Sequence, residues 1–197
     1  MPPQPPPRAT APAPAPAPPT LTESILVDAA PAAVYALVSD LRRMGRWSPE
    51  CRRVWPAQVP ARAGTRFVGF NRRGPFAWFT TGRVLEARQG AAFVFDVGVL
   101  GLPIARWGYR FEPEGTGTRL TESWQDLRTG RGARLAHLLG LLFAGTGTER
   151  RIEVNRAGMR TTLARIAETA AAGRTAGAGR TAGHQGTGTA GEPLSGP

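Results

Sequence analysis

Lysine is absent from this chain of 197 residues, so all 25 basic side chains are arginine. Cysteine occurs once, at position 51, and histidine twice, at 137 and 184. Each scarcity excludes something. One cysteine cannot close an internal disulfide, which argues against a scaffold built for oxidising export. One thiol and two scattered imidazoles give no metal-ligand spacing, so neither a metal nor another cofactor is expected. The start, MPPQPPPRATAPAPAPAPPT, lacks a basic segment followed by an apolar core, so no signal peptide is read there. No run reaches the ~20 apolar residues that cross a bilayer. The expectation is a cytoplasmic protein.

What is present is a formal charge of +11, which at first resembles a nucleic-acid footprint. Alanine, glycine, proline and arginine dominate together, however, as they do in GC-rich coding sequence, and net charge alone speaks to solubility and nonspecific association. The stretch DLRRMGRWSPECRRVWP (40–56) spreads its arginines over a short helix, a turn and the start of an edge strand. It offers no single recognition face for a DNA groove. No specific nucleic-acid partner is expected, and an arginine-rich surface for nucleic acid or anionic membrane ranks last among the readings. The tetrapeptide GTGT at 115–118, 145–148 and 186–189 fits neither GxGxxG nor the Walker pattern, so no phosphate cradle is read.

Residues 1–20 alternate alanine and proline, which favours extended polyproline II; residues 172–197 repeat RTAG and hold almost nothing to bury. Both tails are expected to be disordered. A single domain over 21–171 remains, carrying +9 once Arg8, Arg174, Arg180 and Glu192 are set aside.

Within that domain LTESILV (21–27) reads as a strand. APAAVYALVSD follows as a short helix, with Pro31 in its first turn and Val34, Leu37 and Val38 as its apolar stripe. Asp40 is placed to cap a second short helix, LRRMG. Alternating segments then run over 51–59, 65–71, 76–86, 91–97, 105–112 and 118–127, punctuated by RAG, RRGP, RQG, LGLP and EGTG. The clearest is ARWGYRFE, where Trp107, Tyr109 and Phe111 face opposite to Arg106, Arg110 and Glu112. Residues 149–171 form a helix with Ile152, Met159, Leu163 and Ile166 in one stripe and Asn155 inside it. Its length of ~35 Å suffices to cross a strongly bent sheet. The predicted architecture is an α+β helix-grip fold. A curved seven-stranded antiparallel sheet wraps a long C-terminal helix, and two short helices follow the first strand.

In this order the motifs APAAVYALVSDLRRMGRWSPE, TRFVGFNRRG, TRLTESW and NRAGMRTTLARI give the chain its likeness. It resembles the polyketide cyclase/dehydrase and lipid-transport superfamily, also called SRPBCC or START-like. The resemblance covers about 21–171 and implies a cavity between sheet and long helix that receives an apolar small molecule. Fold analogy does not choose an activity among carriers, receptors and cyclases.

Candidate site residues follow. Phe67, Trp78, Phe93, Phe95, Trp107, Tyr109, Trp124 and Met159 form an apolar wall, some packing in the core and some lining the cavity. Trp47 plugs either the cavity side or the core. In TRLTESWQD, alternation sets Glu122 between Leu120 and Trp124, a carboxylate on an apolar wall that must pair, accept hydrogen bonds or be protonated. Tyr109, from the preceding strand, is its candidate partner. The alternatives are a structural hydrogen bond, or a bulge that turns Glu122 to solvent. Asn155 either meets a ligand or bonds the sheet backbone. Asn71 is read as organising a hairpin turn. Cys51 is read as structural, for no base can be placed beside it. The apolar segment GARLAHLLGLLFAG (132–145) is expected to be a helix over one cavity mouth, or a weak membrane-surface contact. The preferred function is binding of a lipid, isoprenoid or polyketide-like molecule, as a monomer or homodimer. The rival is a cyclase or aromatase using Glu122 and Tyr109.

Overall fold

Seven strands lie in one antiparallel sheet: β1 (Thr20–Val27), β2 (Cys51–Pro56), β3 (Arg66–Arg73), β4 (Phe76–Arg88), β5 (Ala92–Val99), β6 (Leu102–Glu114) and β7 (Gly117–Asp126). The structure, a computed structural model, describes residues 20–128 and 148–182, with backbone alone for 148–149 and 175–182. The strand order is β1-β7-β6-β5-β4-β3-β2, so β1 and β2 occupy opposite edges although they are neighbours in sequence. Between them run α1 (Pro31–Ser39), a single 3-10 turn (Leu41–Arg43) and α2 (Met44–Trp47); a long helix, α3 (Thr148–Ala182), ends the described chain. This is the expected helix-grip order.

Local chemistry explains the joints. Pro31 stands in the first turn of α1, where its missing N–H costs nothing. The Asp40 carboxylate accepts the Arg42 amide at 3.3 Å and so caps the 3-10 turn. The β5–β6 hairpin turns through Leu100 and Gly101 at φ of 51° and 80°, two successive positive values of the kind a tight primed turn requires. Gly98 approaches the Leu102 carbonyl so closely that a Cβ would stand 2.5 Å from its oxygen, beside a bulge that opens after Val97.

One main core gathers Val27, Val34, Val38, Leu41, Trp47, Phe93, Phe111, Leu120, Leu163 and Ile166 where α1 and α3 meet the concave face. A second, smaller cluster joins Leu21, Ala105, Trp124 and Met159. Helix α3 packs most heavily on the edge strand β1 and touches α1, α2 and β7 less. Ion pairs from Arg160 to Glu23 (3.0 Å) and from Arg151 to Glu50 (2.7 Å), with a 3.1 Å hydrogen bond donated by Arg165 to the Trp47 carbonyl, fasten it to the flanking elements.

Three expectations need correction. The long helix does not stop at 171 but continues to Ala182. Its apolar stripe ends near 171, and residues 172–182, AGRTAGAGRTA, carry no apolar repeat from which a helix can be read. Strand β6 starts at Leu102, inside the segment read as a turn. Asn71 sits within β3 rather than at a turn; it donates to Thr80 Oγ1 at 3.2 Å across the β3–β4 pair, while the hairpin reverses at Gly74. The tails 1–19 and 183–197, the segment 132–145, His137 and His184 lie outside the described residues. Among the described residues no helix is long and apolar enough to cross a membrane.

Candidate functional site

Between the middle of the sheet and the N-terminal half of α3 the side chains leave a cavity of about 820 Å³. That lies within the size range of small-molecule sites. Strands β3 to β7 supply most of its wall: Phe67, Trp78, Phe95, Trp107, Tyr109, Glu122 and Trp124. Helix α3 supplies Val154, Asn155, Met159 and Thr162. Nine of the expected residues are thus brought together, namely Phe67, Trp78, Phe95, Trp107, Tyr109, Glu122, Trp124, Asn155 and Met159.

Two are not. Phe93 shares a face with Phe95 but is fully buried beneath Tyr35, edge-on at 6.2 Å, because α1 covers that end of β5. Trp47 is buried in the core rather than on the cavity wall, and its indole N–H has no acceptor among the described residues. Alternation along a strand selects the face, not the depth along it.

The polar centre of the cavity lies on β6 and β7. Tyr109 and Glu122 are directly opposed in the register, and the Tyr109 hydroxyl donates to Glu122 Oε1 at 2.7 Å. Both residues are 2% exposed. Burial pushes the Glu122 carboxyl up to about 8, against the opposing effect of the tyrosine hydrogen bond. Burial first, and then the neighbouring carboxylate, raises Tyr109 well above the ordinary phenol value. At neutral pH the pair is therefore an uncharged acid and an uncharged phenol. Glu122 Oε2 is buried and has no hydrogen-bond partner among the described residues. Such an orphan is costly unless something else satisfies it. Cys51 also touches the cavity, but burial raises its thiol to about 11, so it is no nucleophile near neutrality.

The lining turns solvent-exposed at Arg52, Arg72, Gly74, Ala77, Phe79 and Leu100, which locates the open side near the tips of the β3–β4 and β5–β6 hairpins. Sequence reasoning missed this rim. The available signal was the doubled arginine before a turn glycine, RRG at 72–74.

A model of the family described as polyketide cyclase / dehydrase and lipid transport matches residues 18–171. The chain belongs to that family. This family member is 33% identical to a Polyketide_cyc-like protein from Corynebacterium glutamicum, over 75% of this chain and 88% of that one, with a TM-score of 0.48. Its fold also matches that of Ara h 8.0201, at 9% identity and a TM-score of 0.58, covering 78% of this chain and 97% of that one. A third similar structure is the di-domain ARO/CYC StfQ from the steffimycin biosynthetic pathway. Identity there is 14% and the TM-score 0.60, over 80% of this chain and 51% of that one, so this family member spans about half of the di-domain protein. No curated protein matches. At such identities the last two likenesses concern the fold alone.

Proposed function

We propose that this domain binds a hydrophobic small molecule in the cavity beneath α3, with a neutral oxygen of that molecule at the Glu122–Tyr109 pair. The observation that carries the reading is the unpartnered, buried Oε2 of Glu122 on a wall otherwise made of aromatic and aliphatic side chains. A protonated carboxyl there offers one O–H to a ligand carbonyl or hydroxyl, while Tyr109 holds the other oxygen in place. The aromatic wall supplies affinity by desolvation and favours a flat or extended apolar body. Asn155, 4% exposed on the facing helix, is a second polar contact within the same space.

Native mass spectrometry of the purified protein tests this directly: an apolar compound should co-purify. Its retention should weaken as pH rises through about 8, where Glu122 loses the proton it donates. A protein that carries nothing and takes up no apolar carbonyl compound in calorimetry sinks the reading.

A second reading rests on the same pair. A carboxyl near 8 in hydrogen-bond contact with a phenol is poised for proton transfer at a bound carbonyl, as a cyclase or aromatase step needs. The di-domain relative of similar fold carries ARO/CYC in its description. Under this reading Glu122→Gln abolishes turnover of a polyketide-like substrate while leaving binding intact; unchanged product formation removes Glu122 from the chemistry.

A further inference from the structure

Resting on the cavity reading above, we infer that the guest is an amphiphile with two polar ends: a neutral oxygen that meets the Glu122–Tyr109 pair and, across its apolar body, a single anionic head group, carboxylate or phosphate, at the arginine-rimmed mouth. Two features of the cavity carry this: the polarity of its buried end and the charge of its open end.

The buried end offers only an uncharged hydrogen-bonding pair, Tyr109 with Glu122, in surroundings where an ionised guest group would lose its hydration without a counter-charge. A charged head group is therefore excluded from that end. The open end is the reverse. Arg52, Arg72, Arg73, Arg128 and Arg151 all line the cavity, and apart from the buried Glu122 the only carboxylate lining it among the described residues is Glu50. Asp126 balances Arg128 at 2.5 Å, and Glu50 is shared between Arg151 at 2.7 Å and Arg73 at 3.7 Å. Arg52 and Arg72 have no carboxylate partner among the described residues, and the single charge of Glu50 is set against two guanidinium groups. A mouth with low-dielectric walls focuses such a charge excess on an approaching anion.

Local structure aims these groups. The register between β2 and β3 slips between Cys51 and Arg53, which makes Arg52 the extra residue of a bulge. Bulges re-aim side chains in this way. Arg73 falls on the same face of β3 as Phe67 and Asn71, and both of those line the cavity. Arg151 lies eight residues before Met159 on α3, or ~12 Å of helix rise. Asp126, which holds Arg128, lies four residues beyond Glu122 on β7, or ~13 Å of strand. The two estimates agree that the neutral end and the cationic mouth are separated by the length of a medium alkyl chain.

Isothermal titration calorimetry at neutral pH with 12-hydroxydodecanoate, 12-hydroxydodecyl phosphate and dodecanol, which share the neutral hydroxyl and differ in the anionic head, separates the possibilities. The wild-type protein should bind the better of the two anions at least about tenfold more tightly than the alcohol, as one or two charge-assisted hydrogen bonds imply. Which anion wins tells carboxylate from phosphate. Arg72→Glu, at an exposed position outside any ion pair, should remove most of that preference by weakening binding of the anions; Arg73→Ala should act in the same direction. Circular dichroism of each variant verifies that it is folded. Dodecanol binding as tightly as both anions overturns the head-group inference and leaves the cavity reading standing. No binding of any of the three overturns both.

Discussion

At the scale of a single residue, Glu122 has the most to say. Its folded-state carboxyl titrates at about 8, against an ordinary value of 4.5. Between those limits the folded protein holds a proton that the unfolded chain has released. The stabilising difference is fully present below about 4.5 and is lost as pH climbs toward 8. The domain should therefore lose on the order of a few kcal/mol of stability across that window from this residue alone. In Glu122→Gln the loss should vanish, leaving a flatter profile of Tm against pH. Profiles of equal slope for the two proteins would show that the carboxyl is ionised in the fold. Tyr109→Phe should keep the slope and extend it to higher pH, since the hydrogen bond from Tyr109 favours the charged form.

At the scale of elements, the β3–β4 pair shows how closely one strand fits another. A Cβ on Gly82 would stand 2.1 Å from the Phe67 ring, which lies over it in the register. Gly82→Ala should thus drive that ring toward Phe95 and the cavity, costing about 1–3 kcal/mol in chemical denaturation and weakening ligand uptake. A variant as stable as the wild type would mean that Phe67 has another rotamer at no cost. Much of this level could be read in advance. The order of elements followed from turn punctuation and alternation, and the Tyr109–Glu122 contact followed from two adjacent strands with matched faces. What could not be read was depth. Phe93 and Phe95 obey the same alternation, yet only α1 decides that the first is core and the second wall. Trp47 depended on how a four-residue helix turns, which no periodicity records. The reach of α3 past 171 was hidden because AGRTAGAGRTA at 172–182 has no apolar rhythm.

At the scale of the whole molecule, the arginine-rich stretch 40–56 completes the connection from one sheet edge to the other. It caps a turn, delivers Trp47 to the core and ends in β2, whose exposed Arg52 and Arg53 guard an unpaired edge. The opposite edge belongs to β1, which pairs along its full length with β7 and carries the largest share of the contact with α3. A chain begun after Val27 should lose both seats and fail to give a cooperative melt, whereas a chain begun at position 20 should melt cooperatively. A cooperative transition in the shorter chain would mean that α3 finds other support. The placement of β1 also orders events in time. During synthesis its eight residues emerge first but have no partner until the seventh strand arrives, some ninety residues later. The helix that roofs the hollow comes later still. A nascent chain therefore waits with an unmatched edge, and a guest is met only once the closing helix has been made.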